Sequence, residues 1–206
     1  MGFYSNTVLP CLINCACGTG AVHRQREKVV PRAYGKVLEI GMGSGLNLRH
    51  YDASQVEFIW GLEPSEGMRL KAGANVAQSS ITVKWLDLPS EQIPLEDACV
   101  DSIVLTYTLC TIPDWQRALG EMQRVLKPSG PLLFCEHGEA PEANIQKWQH
   151  RINPAWRRIA GGCNLDRPIP SLIDSVFDIQ SLEQGYIKGP KIAAYQYYGV
   201  ATKRCI

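Results

Sequence analysis

Lys36-Val-Leu-Glu-Ile-Gly-Met-Gly-Ser-Gly45 decides the fold. Lys36 to Ile40 is a short apolar run that ends in glycines, which reads as a buried strand opening into a tight loop. Gly41, Gly43 and Gly45 turn the chain and remove side chains that would keep a ligand from the peptide N–H groups. Outward from there, Val56 to Leu62 is a second strand closed by Glu63-Pro64, with Ser65 placed to cap the helix carrying Met68. Ile81 to Leu86 and Val100 to Tyr107 are the third and fourth strands, and Asp114 to Leu126 has helical spacing that Lys127-Pro-Ser-Gly130 stops. Pro131 to His137 is a fifth strand. Phe177 to Gln184 and Ala193 to Thr202 are two more, close enough to form an antiparallel hairpin. This order predicts an α/β domain over residues 36–206, doubly wound around a mostly parallel seven-stranded sheet, with a helical appendage over residues 1–35.

The whole chain sets limits on function. Its 206 residues suit one domain with a modest appendage. A formal net charge of +1 argues against a general nucleic-acid binder. The eight cysteines are scattered through a chain too long for a disulfide scaffold, so reduced thiols and a cytoplasmic setting are expected, with Cys135 packed as a small hydrophobe. The apolar stretch from Val8 to Val22 is broken by Pro10, Asn14, Gly18 and Gly20 and lacks a basic flank, which predicts no stable membrane insertion and no signal peptide. Asn6 stands where a myristoylation signal wants Ser or Thr. Cys11, Cys15 and Cys17 have no matching Cys or His pair at ligand spacing, so no metal site is expected.

The glycine loop by itself indicates a nucleotide-type cofactor. Glu63 stands about 20 residues beyond the loop, where an acid closing the second strand can accept from ribose hydroxyls. The nicotinamide fingerprint is G-x-G-x-x-G, whereas this loop is G-x-G-x-G. Glu39-Ile-Gly-Met-Gly-Ser-Gly45 resembles the first motif of the class I, Rossmann-like methyltransferases that use S-adenosylmethionine. The resemblance continues through Val100 to Cys110 and Arg124 to Pro131. It implies that Glu39 and Gly41 to Gly45, Met42 and Gly43 among them, line the methionine end, with Asn47 and Thr106 also among the cofactor-binding residues. Glu63 would hold the ribose, and Pro64 and Met68 would flank the adenine. Asp87-Leu-Pro-Ser-Glu-Gln-Ile-Pro94 resembles the adenine-binding segment, which puts Asp87 and Leu88 forward. Alignment on Pro94 instead puts Pro89 at the acid's place, and a turn-capping role for Asp87 stays open.

The second half narrows the resemblance. Cys135-Glu-His137, Trp148, Pro154-Ala-Trp156, Gly162-Cys163 and Arg167 are similar to a bacterial group of small class I methyltransferases. More distantly they resemble the thiol methyltransferases of animals, the methyltransferase-like-seven proteins. Those carry a longer apolar N-terminal anchor, so their membrane association is not expected here. The resemblance implies a small-molecule acceptor, a thiol first. Another small N-, O- or C-nucleophile or a lipid or quinone is the alternative, and a non-catalytic cofactor-binding protein remains a different class of reading.

Ligands of open α/β sheets lie beyond the carboxyl ends of the strands, which makes Tyr107, Cys110, Glu136 and His137 candidates. His137 is the first choice as a general base or thiolate-stabilising group, and a purely structural role for it and Glu136 is the alternative. Cys110 suits either the methyl-transfer cavity or packing. Trp156, Cys163 and Arg167 are candidate acceptor walls. Trp148, Ile152 and Ile159 recur at helical spacing as a core stripe, with Arg151 and Arg158 outward and Asn153-Pro154 starting a fresh helix. His23, His50 and His150 are expected at the surface. An N-terminal helix folding over the cofactor as a lid would bring Tyr4 and Leu12 toward the acceptor.

Overall fold

The computed structural model describes residues 8–204. Tyr4 and Asn6 lie outside them. Seven strands form one sheet in the order β3-β2-β1-β4-β5-β7-β6. They are β1 (Gly35–Ile40), β2 (Val56–Leu62), β3 (Val83–Leu86), β4 (Ser102–Thr106), β5 (Pro131–His137), β6 (Phe177–Tyr186) and β7 (Tyr195–Lys203). β1 pairs in parallel with both β2 and β4, with Leu38 beside Trp60 on one side and Ile103 on the other. β7 enters antiparallel between β5 and β6, giving the edge hairpin.

The strands are apolar on both faces because helices cover both. Leu38, Ile40, Ile103, Leu105 and Phe134 point to one side, where α4 (Trp115–Val125) contributes Leu119 and Met122 and α6 (Ile169–Asp174) contributes Ile173. Val37, Val104 and Leu133 point to the other, against Val29 of α2 (Gly20–Val29) and the adjoining Val30. Alternation along β1 therefore turns Glu39 to the face that the N-terminal helices cover. Asp114 caps α4 by accepting from the Arg117 N–H at 3.1 Å, and Ser65 caps α3 (Glu66–Gln78).

α1 (Leu9–Cys17) and α2 precede β1, and α2 packs on β5 and β7. Among the described residues no helix is long and apolar enough to cross a membrane. Seven described cysteines are free thiols, and Cys135 is fully buried.

Helix α5 (Ala143–Ile159) corrects the sequence reading. It runs unbroken through Pro154, so Asn153-Pro154 starts no new helix. Trp148 and Ile159 are 53% and 59% exposed, and the buried stripe lies one residue along, at Gln149 and Asn153. That one-residue step turns the helix by about 100°. Gln149 earns its burial by closing four backbone groups: its Oε1 accepts from Ala140 N–H, and its Nε2 donates to the carbonyls of Gly138, Leu165 and Ile192. His23 and His50 are also not free surface groups. Their rings meet with Nδ1 and Nε2 2.8 Å apart, and burial beside His23 pushes His50 down to about 4. His150 is exposed, as expected.

Candidate active site

The sheet order reverses between β1 and β4, which opens a crevice at their carboxyl ends. A cavity of about 420 Å³ lies there, a size suited to a nucleoside-sized ligand.

The glycine loop forms its rim, though not every glycine faces it. Gly41 has φ +63°, and a Cβ there would overlap the side chain of Thr108, whose hydroxyl donates to the Ile40 carbonyl at 3.1 Å. Gly41 thus makes room for the β4–α4 loop rather than for a ligand. A Cβ on Gly45 would face Leu48, Ala72 and Asn75, and Gly45 is not among the residues lining the cavity. Glu63 clamps the loop to β2: one carboxylate oxygen accepts from Gly43 N–H at 3.0 Å and the other from Ser65 N–H at 2.8 Å. Burial raises its pKa, and those two N–H groups oppose the shift.

A buried polar cluster lies deeper. Asn47 Nδ2 donates to Glu39 Oε1 and to Thr106 Oγ1, both at 2.9 Å, and Tyr51 donates to Glu39 Oε2 at 2.7 Å. Burial pushes Glu39 up to about 7 against those hydrogen bonds. Asn47 Oδ1 is buried with no partner. Across from it stands Arg26 of α2, 4% exposed, its guanidinium 4.8 Å above the centre of the Tyr107 ring. Arg26 Nε and Nη1 are both buried without an acceptor. An unpaired buried cation is costly, so this arrangement suits an anionic ligand group. Sequence reading missed Arg26 because Arg24 to Lys28 looks like a solvated charge run.

The expected residues divide cleanly. Glu39, Gly41, Met42, Gly43, Asn47, Glu63, Pro64, Met68, Thr106 and Tyr107 line the cavity. Asp87 and Leu88 are exposed and do not; the chain turns after β3 so that Pro89, Ser90 and Glu91 line it instead. Leu12 is 54% exposed and off the wall, where α1 presents Leu9, Ile13, Asn14 and Cys17. Tyr107 adopts φ +55° as β4 ends, a conformation bulky residues adopt at a cost. Burial holds its phenol well above the ordinary range.

Cys110, Glu136, His137, Trp156, Cys163 and Arg167 stand behind the cavity wall rather than in it. Glu136 accepts from the N–H groups of Thr108 and Leu109, at 2.7 and 2.9 Å, and burial pushes it up to about 7. Arg167 donates to the carbonyls of Leu109 and Ile112. These two side chains shape the β4–α4 loop. His137 Nε2 lies 3.2 Å from Cys163 Sγ. Burial pulls His137 down, the hydrogen bond to Cys163 opposes it, and the net shift is upward.

Residues 38–134 match the family described as a methyltransferase domain. Thiol S-methyltransferase TMT1B of Rattus norvegicus is 30% identical over 135 residues, covering 64% of this chain and 54% of that protein. Thiol S-methyltransferase TMT1A of Homo sapiens is 28% identical over 183 residues, covering 86% and 75%. The chain thus spans little more than half the length of the first relative. More distant matches are named demethylmenaquinone methyltransferase and phosphatidylethanolamine N-methyltransferase. Among solved structures, a SAM-dependent methyltransferase of Leishmania major superposes with TM-score 0.68 at 17% identity, covering 96% of this chain and 80% of that one. That likeness concerns the fold.

Proposed function

We propose that this chain, which carries a class I methyltransferase domain whose cofactor is S-adenosylmethionine, methylates the sulfur of a small thiol. The bound cofactor supplies a methyl group on a sulfonium, open to in-line displacement by a nucleophile. The residues present fit it. Arg26, with two unpartnered N–H groups, is assigned to the methionine carboxylate, and Asn47 Oδ1 with Glu39 to the ammonium. Glu63 is assigned to the ribose hydroxyls, and Pro64, Met68 and Pro89 to the adenine faces.

The observation that carries the thiol reading is the chemistry of the cavity wall. Among the described residues lining it there is no histidine or lysine. Its carboxylates are already engaged: Glu39 by Tyr51 and Asn47, Glu63 by Gly43 and Ser65, Glu91 by Ser90 and Asp114. Tyr107 stays a neutral phenol. A wall without a free base suits an acceptor that ionises unaided, and a thiol with a pKa of about 8.5 does so in part near neutrality. An amine or alcohol would ask more of the site. The similarity to proteins named thiol S-methyltransferases supports the same acceptor class. Leu9, Ile13, Ile112 and Pro113 then form an apolar wall that excludes water, with α1 and α2 acting as a lid.

The test is incubation with methyl-labelled S-adenosylmethionine and a panel of sulfide, alkyl thiols, amines, phenols and a demethylated quinone. Label should appear on the thiols. Label confined to a non-sulfur acceptor would overturn the reading.

A further inference from the structure

Behind Thr111, which lines the cavity, three side chains from separate elements converge: Cys110 after β4, His137 at the end of β5 and Cys163 after α5. Their sulfur and nitrogen ligand atoms all lie within 4.8 Å of one another. Cys110 is buried and the other two are half-buried. The loops that bring them together are firmly held. Asn164 donates to the Cys110 carbonyl through its N–H at 2.9 Å and its side-chain amide at 2.8 Å. Gly161 and Gly162 turn the chain before Cys163 with φ of +62° and +90°. His137 turns Nε2 toward Cys163 Sγ, 3.2 Å away, and leaves Nδ1 buried without a partner.

We infer that Cys110, His137 and Cys163 bind a soft divalent cation of the zinc type through two thiolates and one imidazole nitrogen, with a fourth position left open. Tetrahedral zinc, with bonds of about 2.3 Å to sulfur and 2.0 Å to nitrogen, sets its ligand atoms roughly 3.5–3.8 Å apart. Reaching that spacing from the present one takes side-chain movements of about an ångström. Binding forms two metal–sulfur bonds and one metal–nitrogen bond and releases two thiol protons. The site is then neutral overall, which suits its burial. Three protein ligands with one vacant place is the pattern of zinc sites that act on a substrate rather than brace a fold. The vacant place would take one further soft ligand, such as a small thiolate whose proton is released on binding.

The test uses the full chain, reduced and stripped of metal with a chelator, and titrated anaerobically with Co²⁺. One equivalent should bind with thiolate-to-cobalt charge-transfer absorption and the visible bands of a tetrahedral ion, and Zn²⁺ should displace it. Cys110→Ser, Cys163→Ser and His137→Ala should each weaken Co²⁺ binding on the order of 100-fold while still binding S-adenosylmethionine, which shows that they fold. Cys11→Ser and Cys15→Ser, exposed on α1 and outside the cluster, should leave the spectrum unchanged. Adding methanethiol should shift the visible bands. If a variant misfolds, wild-type protein still decides, because one Zn²⁺ should release close to two protons and raise Tm. No saturable 1:1 binding, or binding that persists in the Cys110→Ser/Cys163→Ser double variant, overturns the site. A cobalt spectrum indifferent to thiols overturns the open position. None of these readouts requires turnover, so failure of the acceptor panel is separable from failure of the site.

Discussion

Replacing Arg26 with Met tests the N-terminal half of the site most directly, because it should move binding and stability in opposite directions. The guanidinium is 4% exposed and keeps Nε and Nη1 without acceptors. A cofactor carboxylate would accept from this guanidinium and pair its charge. Hydrogen bonds to charged groups contribute about 1.5–3 kcal/mol each, so losing the contact should cost about 3 kcal/mol, roughly 100-fold in Kd. In the free protein the same change removes an unpaired buried cation whose desolvation costs several kcal/mol. Against that stands the stacking on Tyr107 at 4.8 Å, which contributes about 2 kcal/mol at most. The free variant should therefore melt no lower than wild type while binding S-adenosylhomocysteine far more weakly by calorimetry. Methylthioadenosine, which lacks the amino-acid carboxylate, should bind both proteins equally. Unchanged affinity for S-adenosylhomocysteine, or an equal loss for methylthioadenosine, would refute the assignment.

Glu63→Ala should weaken cofactor binding at least tenfold, since it removes the carboxylate proposed for the ribose and leaves the Gly43 and Ser65 N–H groups without their partner; equilibrium dialysis reads this. Gly41→Ala places a Cβ on Thr108 at φ +63° and should cost about 2–3 kcal/mol, a drop of roughly 5–10 °C in Tm. Thr108→Ala should recover part of that loss. Glu39 and Glu136 are both pushed up to about 7 in the folded protein. Between the ordinary carboxylate range and pH 7 the folded state therefore holds protons that the unfolded state has released. Stability of the cofactor-free protein should fall as pH rises through that window. Thermal melts from pH 5 to 8 check the sign, and Glu136→Gln should flatten the decline.

The sheet was legible because its signal is local. Apolar runs such as Lys36–Ile40 and Ser102–Thr106 are buried on both faces, and the loop after β1 cannot be written without glycine at Gly41. The acid closing β2 was legible for the same reason, since strand length fixes where Glu63 falls. What failed depended on turns and rotations that composition does not fix. Asp87 misses the cavity because the chain needs two more residues to turn back, which brings Pro89 to the wall. On α5 the apolar spacing of Trp148 and Ile159 was real, yet four backbone groups seeking partners drew Gln149 inward.

Arg26 and the Cys110–His137–Cys163 cluster were hidden for a deeper reason. Arg26 sits in a charged stretch on a helix, and only packing of that helix against β5 and β7 decides which of its charges is enclosed. The cluster's members lie 27 and 26 residues apart, beyond any ligand spacing a sequence pattern could flag. Both arise where the carboxyl end of the sheet meets elements outside the strand–helix repeat, namely the N-terminal pair of helices and the loop after α5. The repeat builds the cofactor crevice that many proteins of this fold share. The added elements supply an enclosed cation on one side and, on the other, the Cys163 thiol that meets Cys110 and His137. The choice of acceptor should therefore be sought in those additions, and the Arg26 and cobalt experiments probe one each.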